Sequence, residues 1–290
     1  MTRLQDIKLG IYEKAIPLQL SWPEKFRVAK EAGYDFIEVS IDGLHPRVDR
    51  LRWTDEELRE IRHAAEDAGM NFYTMALTAN RFFPLGDDRD DVRETGKAIV
   101  RRAVDIAAFL GIKVIQLAPY DVNGRESTEA TLQNFKDSLK ELAGYAGEHG
   151  IILAVEVMED VPFIRSVKAA KELIDEFDTP FLQIYTDFGN VAATGADPAP
   201  DLKNGGNHIV ATHVKDGTYI DGVGCCRNVP FGEGDVDFEE CFQAYVDMNY
   251  HGLFITEMWS EEKEEFIPYL KEVVDFVKEK CRIVDERNAK

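Results

Sequence analysis

The sequence predicts an α/β fold built as a single closed (β/α)8 TIM barrel. Three observations predict it. Short apolar runs of strand type alternate about eight times with longer stretches of helical period. No low-complexity linker divides the chain into halves. The length, 290 residues, suits one barrel of about 250 residues with decoration. Repeated βα units imply a parallel sheet, and eight of them favour closure over an open doubly wound sheet. Neither G-x-G-x-x-G nor G-x-x-x-x-G-K-S/T stands at a strand-to-helix turn, which argues against a nucleotide-binding open sheet. Residues 1–290 are therefore expected to form one domain.

The elements follow in order. The first strand-type run is KLGIYEKA (8–15); a helix over 22–32 comes next and Gly33 ends it. YDFIEVSI (34–41) is the second. The following helix starts near Thr54, where Thr-Asp-Glu-Glu reads as a capping box, and ends at Gly69. NFYTMALT (71–78) is the third run, with a long helix to Leu110 and Gly111 after it. KVIQLA (113–118) is the fourth, and a helix over 127–149 stops at Gly150. IILAVEVM (151–158) precedes a helix over 167–177. FLQIYTD (181–187) precedes a shorter helix over 200–205. HIVATHVKD (208–216) precedes a helix over 238–248. LFITEMW (253–259) is the eighth run, and an acidic helix beginning SEEKEEF closes the chain near Lys280.

The hydrophobic fraction is 44% and the charged fraction 30%, the balance of a globular chain able to bury a large core. Against 34 basic residues stand 54 acidic ones, a net charge of −20, with a pI of about 4.7. Nucleic-acid binders carry a basic footprint, so nucleic acid is not an expected partner. An anionic substrate would have to be met by a few placed cations. The chain has no apolar run of roughly 18 residues and no apolar leader pattern in MTRLQDIKLG, so neither a membrane span nor a signal peptide is expected. Cys225, Cys226, Cys241 and Cys281 form no C-x-x-C pair; reduced thiols in a cytoplasmic protein are the simple reading.

In a barrel the chemistry sits where strands end and βα loops begin. The fifth run carries Glu156, the sixth ends in Asp187, the seventh carries His213 and the eighth Glu257. The steps are 31 residues from Glu156 to Asp187, 26 on to His213 and 44 on to Glu257, about one βα unit each. Adjacent strand ends would bring the four to one point on the rim. A charge on an apolar strand is costly unless it is paired or metal-bound. Four together point to one divalent cation; three hard oxygens and one imidazole suit Mn2+, with Co2+, Zn2+ or Mg2+ as alternatives. Taken singly, each has an ordinary alternative: an ion-paired Glu156, a turn-forming Asp187, a core His213, a salt-bridged Glu257.

Weaker candidates lie nearby. Glu13 and Glu38 end or nearly end the first two strands, where each can touch a substrate hydroxyl or form an ion pair. Arg81, in TANRFF, is a candidate anion contact or a surface arginine. Lys215, a candidate phosphate contact, shares the face of His213 by strand alternation, and Asp216 follows it. Asn190 can bind a hydroxyl or cap its turn. Arg227, Asn228 and the loop NVPFGEG (228–234) can offer a cation and backbone N–H groups to an anion.

At these residues the sequence resembles a known group. The sugar-isomerase-like (xylose-isomerase-like) TIM barrels place Glu, Asp, His and Glu on strands five to eight around one metal. Within that group LGIYEKAIP, TANRFFPLG, VIQLAPYDV, YTDFGN, HIVATHVKD, NVPFGEGDVDF and TEMWSE closely resemble the L-ribulose-5-phosphate 3-epimerase family, also called L-xylulose-5-phosphate 3-epimerases. The likeness runs from about Leu9 to Glu261. It implies Glu156, Asp187, His213 and Glu257 as ligands of one divalent metal, with Glu156 and Glu257 as the acid/base pair. It implies a phosphorylated ketopentose as substrate, interconversion through a cis-enediolate, a place in pentose phosphate and ascorbate metabolism, and a homodimer or higher homo-oligomer. The segment 217–227, GTYIDGVGCCR, is longer than the family pattern, which bears on the phosphate preference more than on the chemistry. Competing readings are a 3-epimerase of free ketoses such as tagatose or psicose, an aldose–ketose isomerase, an apurinic-site endonuclease and a non-enzymatic sugar-binding protein. Six histidines and the acidic charge argue against the endonuclease, which gathers about three metals and needs a basic face.

Overall fold

The eight apolar runs each form a parallel strand, and the strands close on themselves. The structure is a computed structural model and describes residues 3–259 and 266–289. The barrel strands are β1 (Leu9–Tyr12), β2 (Phe36–Ile41), β3 (Thr74–Leu77), β4 (Val114–Leu117), β5 (Ile152–Glu156), β6 (Leu182–Asp187), β7 (Ile209–Val214) and β10 (Leu253–Thr256). Two further strands, β8 (Thr218–Ile220) and β9 (Val223–Cys225), form a separate hairpin. Round the barrel the order is β1-β10-β7-β6-β5-β4-β3-β2. Closure is made by β1 against β10, with Leu9 opposite Phe254 and Ile11 opposite Thr256.

The strands are shorter than the apolar runs because the flanking residues leave extended geometry early. After Tyr12 the chain turns at once into a 3-10 turn, Glu13–Ala15. Alternation then decides which side chains enter the barrel. Phe36 and Tyr185 fill its interior together with the small residues Ala76, Ala154 and Ala211. Large and small partners in one cluster let the closed sheet fill its centre without a void.

The helices wrap this barrel: α1 (Trp22–Ala32), α2 (Asp55–Ala68), α3 (Asp90–Leu110), α4 (Glu129–Glu148), α5 (Val167–Ile174), α6 (Phe188–Ala192), α7 (Pro198–Leu202), α8 (Phe238–Asp247) and α9 (Phe266–Asn288). Thr54 and Glu57 form the expected capping box, and Ser21 with Glu24 forms another on α1. The acidic start expected for the last helix, residues 260–265, lies outside the described residues. No helix among the described residues is long and apolar enough to cross a membrane.

Two elements differ from expectation. The helix expected over 200–205 is α7, three residues shorter at its end, and α6 precedes it directly after β6. Asp187 ends the strand and caps that helix, its Oδ1 accepting from Asn190 N–H at 2.8 Å. The segment 217–227, which is longer than the family pattern, contains the β8–β9 hairpin. Its two-residue turn is Asp221-Gly222, both at positive φ (51° and 85°), the backbone that a tight hairpin turn requires.

Candidate metal centre

Four consecutive barrel strands deliver four inward side chains at their C-terminal ends. Glu156 ends β5, Asp187 ends β6, His213 lies one residue before the end of β7, and Glu257 follows β10 directly. The register sets Asp187 opposite His213 and His213 opposite Ile255. All four are buried, and one donor atom from each falls within 4.8 Å of the others. His213 Nδ1 lies 3.1 Å from Glu156 Oε1 and 3.6 Å from both Asp187 Oδ2 and Glu257 Oε2.

The surroundings hold these groups in place. Gln116, inward on β4, donates from Nε2 to Glu156 Oε2 at 2.5 Å. Lys215 Nζ lies 2.5 Å from Glu257 Oε2 and 3.0 Å from Asp187 Oδ2. Asp187 Oδ2 is buried without a hydrogen bond of good geometry even so. Three buried carboxylates converging with an imidazole, one of their oxygens left unsatisfied, are the donor set of a hard divalent cation. The cluster can hold one.

Burial pushes the Glu156 carboxyl up to about 7; Glu257 and Asp187 push the same way and His213 opposes them. Burial also works against ionised Asp187, yet Lys215 and His213 hold it below its ordinary value. For His213 and Lys215 burial disfavours the charged form, but the carboxylates around them raise both well above their usual ranges.

Glu38 reaches this centre from below. It is fully buried on β2 rather than exposed on the rim; Oε2 lies 2.7 Å from His213 Nε2 and Oε1 accepts from the Tyr185 hydroxyl at 2.7 Å. The expectation of a substrate contact at Glu38 is therefore corrected. Glu13 is corrected as well. It is 0% exposed, because β1 ends at Tyr12 and alternation turns Glu13 away from the barrel interior. Lys25 Nζ is 2.5 Å from its Oε1, Arg50 donates to both its oxygens, and Ser40 N–H donates at 3.0 Å. The Trp22 ring lies against both cations, 5.0 Å from Lys25 and 5.4 Å from Arg50. The ion-pair alternative is what Glu13 makes.

Lys215, expected to meet a phosphate, directs its ammonium at Asp187 and Glu257 instead. Asn190 is capped rather than capping, its N–H donating to Asp187 Oδ1, and its side chain ties α6 to the end of β5, donating from Nδ2 to Val157 O at 3.0 Å. Arg81 stacks over Tyr120, 4.7 Å to the ring centroid, and donates to its hydroxyl, which donates in turn to Asp160 at 2.8 Å. Arg227 is exposed and stacks on Trp259 at 4.6 Å. Asn228 is exposed beside it.

The loop after β7 already carries an anion of its own. Asp216 is buried, and its two oxygens accept from the N–H groups of Gly217, Gly232, Gly234 and Val236 at 2.8–3.2 Å. The N–H groups of Gly232 and Gly234, expected to approach a substrate anion, are thus engaged by this carboxylate. A Cβ on residue 234 would stand 2.2 Å from Asp216 Oδ1, so only glycine lets that backbone approach so closely. The loop walls a cavity of about 320 Å3 whose lining includes Lys215 and Glu257 with Cys226, Asn228, Val229 and Trp259. A larger cavity, about 590 Å3, lies at the other end of the barrel between the N-terminal 3-10 turn and α9, lined by Leu4, Leu9, Phe254 and Cys281 among others. It holds none of the four donors.

Sequence reading passed over Trp259, which lies at the edge of the cavity beside Tyr12, at 6.1 Å between centroids. It also passed over Cys226, whose thiol donates to Glu159 at 3.2 Å. Neither carries a spacing signal, because their neighbours are distant in sequence.

Comparison with known proteins follows the same lines. The profile of the family described as xylose isomerase-like TIM barrel matches residues 26–280. L-Ribulose-5-phosphate 3-epimerase UlaE of Shigella flexneri is 41% identical over 274 residues, 94% of this chain and 95% of that protein. Among solved structures, a D-tagatose 3-epimerase-like protein superposes with a TM-score of 0.79 at 20% identity, over 97% of this chain and 99% of that one. D-Psicose 3-epimerase from Clostridium cellulolyticum H10, solved with D-tagatose, gives 0.78 at 15% identity, over 95% and 99%. At these identities the two structures speak for the barrel alone.

Proposed function

The chain belongs to the xylose isomerase-like TIM barrel family and groups with its L-ribulose-5-phosphate 3-epimerases, and from that premise we propose that it interconverts L-ribulose 5-phosphate and L-xylulose 5-phosphate. It is an isomerase acting on a carbohydrate. The observation that carries the reading to this site is the convergence of Glu156, Asp187, His213 and Glu257 at the C-terminal ends of the strands. We read the chain as one barrel domain and these four residues as ligands of a single divalent cation. Mn2+ is the first choice for three oxygens and one imidazole, with Co2+, Zn2+ or Mg2+ as alternatives. Such a cation supplies a Lewis acid for the C2 carbonyl.

The remaining work belongs to the side chains. Epimerisation at C3 removes the C3 proton from one face, leaves an enediolate, and returns a proton to the opposite face. That requires two acid/base groups on opposite sides of the sugar. Glu156 and Glu257 are separated by β6 and β7, so they approach the space between them from different directions. Burial raises the Glu156 carboxyl in the cation-free site, which opposes the lowering that a bound cation would bring and favours exchange of a proton there. Lys215, hydrogen-bonded to Glu257, adds a fixed positive charge where negative charge develops.

The substrate occupies the 320 Å3 cavity above Glu257, between Trp259 and the loop held by Asp216. Its phosphate has Asn228 within that wall, Arg227 outside it against Trp259, and Arg81 beyond β3 as partners. The protein works in the cytoplasm as a homodimer or larger homo-oligomer. Incubation of the Mn2+-loaded chain with L-ribulose 5-phosphate in D2O, followed by NMR, tests the reading. L-Xylulose 5-phosphate with deuterium confined to C3 is the expected product. Exchange only with unphosphorylated ketoses would make it a free-sugar 3-epimerase, and exchange at C1 or C2 an aldose–ketose isomerase.

A further inference from the structure

We propose that Glu38 and Tyr185 are a positioning pair that fixes which nitrogen of His213 faces the three carboxylates. The inference rests on the reading of Glu156, Asp187, His213 and Glu257 as a cation-holding set. Glu38 stands on β2, four strands round the barrel from β6 in either direction and three from β7. Its carboxylate therefore spans the barrel interior to reach both neighbours. Oε1 accepts from the Tyr185 hydroxyl and Oε2 meets His213 Nε2, each at 2.7 Å. The other imidazole nitrogen, Nδ1, faces Glu156, Asp187 and Glu257.

A carboxylate has no proton to donate, so the hydrogen in the Glu38–His213 contact sits on Nε2. Nδ1 faces carboxylates as well, and a cation would take the place of a proton there; the proton held on Nε2 then leaves a neutral ring whose Nδ1 lone pair points at the shared site. A ring protonated on Nδ1 instead would direct a hydrogen at that site and offer no ligand. Tyr185 completes the device. Its hydroxyl occupies Oε1, which fixes the rotation of the carboxylate, and its ring packs edge-on against the imidazole with centroids 4.7 Å apart. All three residues are 0–1% exposed, so bulk water does not compete for these bonds. Glu38 is a positioning residue: it touches neither the proposed cation nor the substrate and acts through His213.

The test uses the full chain after dialysis against a chelator, with Mn2+ and Zn2+ as probes. Dissociation constants are measured by calorimetry for the wild type, Glu38→Gln and Tyr185→Phe. Outer partners of a metal-binding histidine are worth roughly 10–100-fold in affinity, and Glu38→Gln is expected to lose that much because its amide can pull the ring proton to Nδ1. Tyr185→Phe keeps the carboxylate and is expected to weaken binding by about tenfold, the lower end of that range. Nitrogen-15 NMR of the Zn2+-loaded, histidine-labelled protein reads the tautomer directly. The wild type should show one ring protonated on Nε2 and metal-shifted on Nδ1, a signature that purely structural packing would not create. Unchanged affinity in Glu38→Gln, or ligation through Nε2, overturns the proposal. If Glu38→Gln does not fold, Tyr185→Phe decides, and unchanged affinity and tautomer there overturn it. A wild type that binds neither metal defeats the cation-holding reading itself, and this inference with it, before any variant is compared.

Discussion

Glu13 and Glu156 show how two carboxylates of the same acidic chain come to different uses. Burial alone would raise the pKa of both. At Glu13 the Arg50 and Lys25 charges outweigh burial and hold the carboxyl far below its usual range. Burial lowers the pKa of Lys25 despite its pairing with Glu13, so the guanidinium is the firmer partner. A group with a depressed folded pKa contributes stability above its unfolded pKa of about 4.3, lost as pH falls through the folded value. Glu13→Gln should therefore cost about 3–5 kcal/mol at pH 7. Its stability should also fall less than the wild type's below about pH 4.3. Urea unfolding at a series of pH values checks both. At Glu156 the neighbours are mostly negative, and burial prevails. Glu156→Gln and Glu257→Gln are each expected to lower kcat by about 100- to 10,000-fold, the usual worth of a general acid or base. Loss of C3 deuterium exchange is the readout, with Mn2+ affinity measured alongside to separate proton transfer from cation loss.

At the scale of elements, the loop after β7 owes its shape to one side chain. Asp216 gathers four N–H groups spread over residues 217–236. Asp216→Asn retains one acceptor oxygen and loses the charge, which should destabilise the loop by about 1.5–3 kcal/mol. Faster amide exchange over 228–236 and a raised KM with a smaller change in kcat are the expected outcomes. The same elements show what could be read in advance. The strands and the four donors were legible because strand-end placement recurs once per βα unit, and periodicity carries that signal. The depth of Glu38 is not legible, since strand alternation tells which side chains point inward but not how deep they lie. The hairpin has a signal too, Asp221-Gly222 between Tyr219-Ile220 and Val223. Asp216, Trp259 and Cys226 were not legible as site walls, because the groups they meet lie one or more βα units away.

For the molecule as a whole, the net charge of −20 sets the field that an anionic sugar phosphate must cross. Raising NaCl from about 10 to 150 mM shortens the screening length from about 30 to 8 Å. The value of kcat/KM for the phosphorylated ketose should rise over that range as repulsion is screened, while that for an unphosphorylated ketose stays flat. A fall would mean that Arg227 and Arg81 dominate the approach. The seam between β1 and β10 has another consequence, which concerns synthesis. The ribosome makes Leu9 long before Phe254, its partner in the closing ladder. Until β10 emerges the nascent chain has an open sheet with both edges bare, and only three of the four donors. The growing polypeptide therefore completes its four-donor cluster only at the end: the last barrel strand to be translated delivers Glu257 and shuts the sheet in the same event.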